Sequence, residues 1–164
     1  MIDPGRVAAQ WLRQIVRAFV PKADVRYTGI FLDPMNQQRL VKRFGQKFPQ
    51  LQAHHMTLWS VMDESGGPDL ESLPLGKTVD LRVVGYAEDD KGQAVVVAPP
   101  AGFRPGRGRL PHITISTAPG VKPVYSNELL RHADIATGTF PKIEGKVGWW
   151  DGTRAHFDLP VTTT

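Results

Sequence analysis

Cysteine is absent from this chain, which excludes a disulfide framework, a thiolate nucleophile and a zinc–thiolate centre, and fits a reducing compartment. No apolar run is long enough to cross a bilayer, and the first residues lack the compact apolar region and small-residue cleavage site of a secretory signal. The expectation is therefore a soluble, cytoplasmic protein without a membrane partner. Long runs of like charge are missing too. Twenty Lys and Arg against sixteen Asp and Glu leave a net charge of +4 and a pI near 9.6, a mild pull toward an anionic partner. The five histidines lack the i, i+4 spacing of a zinc hydrolase and have few carboxylates beside them, so neither a metal nor another cofactor is expected.

At 164 residues the chain suits one domain with a substantial apolar interior. Residues 1–160 are read as that domain, a monomer, and 161–164 as a frayed tail. Asp3-Pro4 and the recurrence of Ala8, Trp11, Leu12, Ile15, Val16 and Phe19 predict an amphipathic helix ending at Pro21. A strand follows from Val25 to Leu32. Asp33-Pro34 then starts a second helix, with Leu40, Val41, Phe44 and Phe48 on one side and Pro49 as its stop. Asp63 to Gly76 reads as a surface loop. Lys77 to Ala87 and Gln93 to Ala98 form a hairpin around the Asp89-Asp90-Lys91-Gly92 turn. Past the basic loop from Pro99 to Arg109 and a further strand, Ser126 is placed as the N-cap of a short helix. The tail from Lys142 to Leu159 reads as two strands turning at Trp150-Asp151-Gly152.

The informative feature is a duplication. His55-Met56-Thr57-Leu58 and His112-Ile113-Thr114-Ile115 share the order histidine, apolar, threonine, apolar. Side chains alternate faces along a strand, so in each copy His and Thr point one way and their apolar neighbours point the other. Two such strands side by side aim two imidazoles and two hydroxyls into one cleft, a set suited to acid/base chemistry on a phosphodiester. His55 and His112 are the candidate catalytic residues, and Thr57 and Thr114 the candidate phosphate ligands. His54 has Met56 two residues on, which offers no hydroxyl, and strand alternation turns it to the opposite face as a structural residue. His132 and His156 have no threonine at that offset and are read as surface or structural groups.

With these motifs in view, the chain resembles the two-histidine phosphoesterase superfamily. Within that group it looks most like the myelin 2′,3′-cyclic nucleotide 3′-phosphodiesterase and the cyclic phosphodiesterase domain of fungal tRNA ligase. The supporting stretches are Tyr27-Thr28-Gly29-Ile30-Phe31-Leu32, the two motifs with Pro111, and Gly120-Val121-Lys122-Pro123-Val124-Tyr125-Ser126-Asn127. The resemblance implies a bilobal α+β fold in which two antiparallel sheets form a central groove with helices outside. It also implies metal-independent hydrolysis of a 2′,3′-cyclic phosphate on RNA ends or nucleotides, leaving a 2′-phosphate. His112 is assigned as base and His55 as acid. Any kinase or ligase acting in the same repair would be a separate protein.

Substrate contacts are expected from Arg104, Arg107 and Arg109, and base stacking from Phe103 or Trp59, with Trp59 open between lining the groove and closing the core. Trp149 and Trp150 are assigned to core and turn packing. Two other functions use the same residues: degradation of cyclic or 2′,5′-linked oligonucleotide signals, and non-catalytic binding of RNA or nucleotides.

Overall fold

The computed structural model describes residues 25–62 and 68–160. The helix predicted before Pro21, part of the loop after Asp63 and the tail 161–164 lie outside the described residues.

Asp33-Pro34 starts helix α1 (Pro34–Phe44) as the sequence suggests. The Asp33 carboxylate accepts the Asn36 amide at 2.8 Å, and Pro34 occupies a position that has no helical partner for an N–H. The helix stops sooner than Pro49. Gly45 takes φ +75° and its N–H donates to the Val41 carbonyl at 2.8 Å, ending the helix at Phe44. Leu40 is buried on the inner face, and the Asn36 side chain accepts the Glu144 amide at 3.0 Å, anchoring the helix to the sheet.

The strands are β1 (Tyr27–Phe31), β2 (Gln50–Leu51), β3 (His55–Ser60), β4 (Thr78–Glu88), β5 (Gly92–Ala98), β6 (His112–Thr117), β7 (Ala136–Thr137), β8 (Lys142–Trp150) and β9 (Ala155–His156). A second helix, α2 (Ser126–His132), follows β6. All nine strands belong to one antiparallel sheet in the order β7-β4-β5-β6-β3-β1-β8-β9, with β2 added beside β6. Two strands are long enough to serve three neighbours each, β4 pairing with β5, β7 and β8, and β8 with β1, β4 and β9. Thr78–Arg82 of β4 pairs with Lys142–Lys146 of β8 while the rest of β4 pairs with β5, so the path β4-β5-β6-β3-β1-β8 returns to β4. The fold is thus α+β, dominated by a large antiparallel sheet.

Alternation supplies the core. Ile30, Met56, Leu81, Val95, Ile113, Ile143 and Val147 are at most 2 % exposed and join in one cluster drawn from every strand of that circuit. A smaller cluster seats Leu129 and Leu130 of α2 against Ala87, Ala94 and Val96. No helix among the described residues is long and apolar enough to cross a membrane.

Candidate active site

Strands β3 and β6 are neighbours, paired through Met56 and Ile113. Counting outward antiparallel from that pair sets Thr57 beside His112 and His55 beside Thr114, all on the face opposite the buried Met56 and Ile113. The four side chains line one cavity of about 350 Å³. The duplicated motif therefore makes one constellation.

Each motif strand also shifts register at the same place. Between β1 and β3, Gly29 pairs with Thr57 but Thr28 pairs with Trp59, leaving Leu58 as the extra residue. Between β5 and β6, Ala94 pairs with Thr114 but Gln93 pairs with Ser116, leaving Ile115 extra. The irregularity follows the motif threonine in both copies. A bulge of this kind flips the alternation beyond it. As a result Ser60, and not Trp59, lines the cavity. Trp59 is turned away from it, with its indole N–H buried and without a hydrogen-bond partner among the described residues. Gly29 permits the close approach at this bulge, since a Cβ there would stand 2.5 Å from the Met56 carbonyl oxygen.

The two imidazoles are held differently. His112 Nδ1 lies 2.8 Å from the Leu110 carbonyl. A carbonyl can only accept, so Nδ1 carries the hydrogen, and Nε2 of the neutral ring is a free lone pair. His55 is stacked on the Tyr27 ring, centroids 4.6 Å apart, and Trp150 stands on the far side of Tyr27 and lines the cavity. Burial drives the His55 pKa down to about 3, helped by the nearby His54 and His112 rings. Burial lowers His112 as well, against the pull of the Leu110 carbonyl, with Arg109 adding to the fall. Burial raises the Tyr27 phenol to about 12, so it stays protonated.

His54 departs from its expected place on the opposite face. Ala53, fully buried, takes φ +41°, a left-handed conformation that breaks the extended alternation just before β3 begins. The His54 side chain consequently turns into the same cavity, its Nδ1 3.1 Å from His55 Nδ1. Burial lowers its pKa too.

The threonines also differ. Thr114 Oγ1 donates to the Pro123 carbonyl at 3.2 Å and meets Ser126 Oγ at 2.8 Å. Ser126 is not the N-cap; that position is Tyr125, and the buried Ser126 hydroxyl ties α2 to the motif strand. Thr57 has no such partner among the described residues, so its hydroxyl is the one open to the cavity.

Of the basic loop, Arg109 reaches the site, lining the cavity with its Nε bonded to the Gly106 carbonyl at 3.1 Å. Arg104 is exposed and lines neither this cavity nor the next. Arg107 falls in the 3₁₀ turn Gly106–Gly108, and its side chain lies outside the described residues. Phe103 packs against the main core cluster and not into the cleft, because its loop folds back through a Phe103 N–H to Pro100 carbonyl bond of 3.2 Å. Among the described residues no three His, Cys, Asp or Glu side chains are grouped to hold a metal ion.

The chain matches no family model and no curated protein. The chemistry must therefore be read from the groups themselves. A second, larger cavity of about 1010 Å³ adjoins the first, sharing His112, Arg109 and Asn127 and adding Lys91, Lys122 and Arg131. The apolar side chains Met62, Leu110 and Val124 are exposed along it. Tyr27, Ser60, Trp150 and His54 were missed in the sequence as site residues. Tyr27 and Trp150 reach the site through strand pairing, Tyr27 lying opposite both Ser60 and Trp150, which no local sequence pattern shows.

Proposed function

We propose that this protein hydrolyses 2′,3′-cyclic phosphates, on RNA ends or nucleotides, by two-histidine acid/base catalysis. The observation that carries the reading is the meeting of His55, Thr57, His112 and Thr114 in one cavity on neighbouring strands with matching bulges. The two-lobed arrangement of the two-histidine phosphoesterases is supported by the sheet order. It puts β5 and β4 beyond one motif strand and β1 and β8 beyond the other, each motif strand carrying its bulge against its outer neighbour.

The residues divide the work as follows. His112, its tautomer fixed by Leu110, presents Nε2 to take a proton from the attacking water. His55, facing it across the strand pair, gives a proton to the departing 3′-oxygen, which leaves the 2′-phosphate as product. Thr57 donates its open hydroxyl to a non-bridging phosphate oxygen, where charge grows in the transition state. Thr114 serves mainly to fix Ser126 and the turn that walls the site. A strained five-membered cyclic phosphate needs little beyond alignment, a proton donor and this charge stabilisation.

The larger cavity extends the site for more than a mononucleotide. Lys91, Lys122, Arg109 and Arg131 offer positive charge to backbone phosphates, and Met62, Leu110 and Val124 offer surface for bases. An oligonucleotide signal with a 2′,5′ linkage would use the same space, and substrate profiling separates the two. On this reading the protein acts in the cytoplasm. The test is incubation of the purified protein with 2′,3′-cyclic AMP in EDTA, with the product identified by phosphorus NMR. Formation of 2′-AMP is expected; activity that vanishes in EDTA and returns with zinc or manganese overturns the metal-free mechanism.

A further inference from the structure

The acid role assigned to His55 meets an obstacle in its own surroundings, because a ring enclosed beside two other imidazoles does not hold a second proton near neutral pH. The His54–His55 geometry offers a way round it. Their Nδ1 atoms are 3.1 Å apart, the ring centroids 5.4 Å apart and the ring planes 17° apart. That centroid separation is the nitrogen contact plus one ring radius at each end. The rings therefore lie end to end in nearly one plane, the arrangement of an in-line N–H···N hydrogen bond and not of face-to-face stacking. Two facing Nδ1 atoms at this distance must share one hydrogen.

We propose that His54 carries the positive charge of the acid form, so that His55 delivers a proton to the leaving oxygen while itself remaining neutral. This rests on the phosphodiesterase reading above. Before the step, His54 holds hydrogens on both ring nitrogens and its Nδ1–H is donated to His55 Nδ1, which fixes the His55 hydrogen on Nε2. As the bond between phosphorus and O3′ breaks, the Nε2 hydrogen goes to O3′ and the His54 Nδ1 hydrogen passes to His55 Nδ1. Both rings end neutral. His112 meanwhile holds the proton taken from the attacking water. That proton returns to His55 Nε2 through solvent, and His55 Nδ1–H passes back to His54, which restores the starting state.

Three features support the assignment. His54 is the more exposed ring of the pair, so burial disfavours a charge there less than one on His55. The left-handed Ala53, with its N–H on the Thr114 carbonyl at 2.8 Å, and the Leu32 N–H on the His54 carbonyl at 2.8 Å hold the ring in this unusual place. The groups facing the pair are Tyr27 from β1, His112 from β6 and Arg109 from the loop before it. No Asp or Glu lines the cavity among the described residues, so the anionic phosphate itself is the counter-charge.

The test compares wild type, His54→Ala and His54→Asn on 2′,3′-cyclic AMP, measuring kcat and KM across pH. Asn keeps a donor beside His55 but has no charge or proton to give. The relay predicts that both variants lose kcat by about 10- to 100-fold with KM little changed. It also predicts that the alkaline limb of kcat/KM moves to lower pH, since only His55 can then hold the acid's proton. Wild-type kcat in His54→Asn assigns His54 to orientation alone and overturns the relay, as does wild-type kcat in His54→Ala. A wild-type protein that leaves the substrate intact overturns the phosphodiesterase reading, and the relay with it.

Discussion

Acidification should weaken this fold through His55 in a way that can be measured residue by residue. The unfolded ring takes up its proton near the ordinary value of 6.5, whereas the folded ring waits until about pH 3. Between those values the unfolded state binds one more proton than the native state. The contribution is fully present above pH 6.5 and is lost as pH falls toward 3, at about 1.4 kcal/mol per pH unit. From pH 7 to pH 5 that comes to about 2 kcal/mol, an upper figure because water reaches the ring edge that borders the cavity. A loss of this size is readable against a typical domain stability of about 5–15 kcal/mol. His54 and His112 are displaced in the same direction and steepen the fall. Urea unfolding at pH 7 and pH 5 should therefore show a drop in wild type that shrinks by up to about 2 kcal/mol in His55→Gln. An identical drop in both proteins, or a His55 resonance titrating near its ordinary value, would refute the argument.

The threonines should separate by role: Thr57→Ala loses about 10²-fold or more in kcat/KM at nearly unchanged stability. Thr114→Val leaves the buried Ser126 hydroxyl unpaired and costs about 1–3 kcal/mol in denaturant unfolding; equal kinetic and stability profiles would contradict the division. Gly29→Ala forces a methyl against the Met56 carbonyl and should destabilise by about 1–3 kcal/mol, with loss of turnover as β1 moves off the motif strand; a neutral result in thermal unfolding would mean the bulge relaxes freely. Arg109→Ala should weaken RNA binding and reduce its salt slope by about 1, while Arg104→Ala does neither; equal slopes for the two variants would remove Arg109 from the site.

The part of the site set by strand period was legible in the sequence, and the part set by local breaks in that period was not. His55, Thr57, His112 and Thr114 share a face because alternation holds across three residues on each strand. Trp59 lies just beyond the bulge at Leu58, where alternation alone points the wrong side chain inward. His54 lies just before β3, where the left-handed Ala53 undoes the alternation, and nothing in an alanine signals a positive φ. Ser126 looked like a cap because its hydroxyl could serve a helix end, but the Thr114 hydroxyl nearby in space took it. The order β1, α1, β3, β4, β5 and β6 followed strand pattern, turn residues and the Asp33 cap, whereas the two-residue β2 carried no such signal. The return of the strand path through β4 and β8 depends on register between distant segments, to which local pattern is blind.

The central claim, that His55 and His112 form one catalytic unit, is tested most directly by a double-mutant cycle on 2′,3′-cyclic AMP with folding checked for each variant. His55→Ala and His112→Ala should each remove most of the turnover, by about 10²- to 10⁴-fold, and the double variant should fall little further. Folded single variants that keep wild-type turnover, or two losses that simply multiply in the double variant, would contradict it.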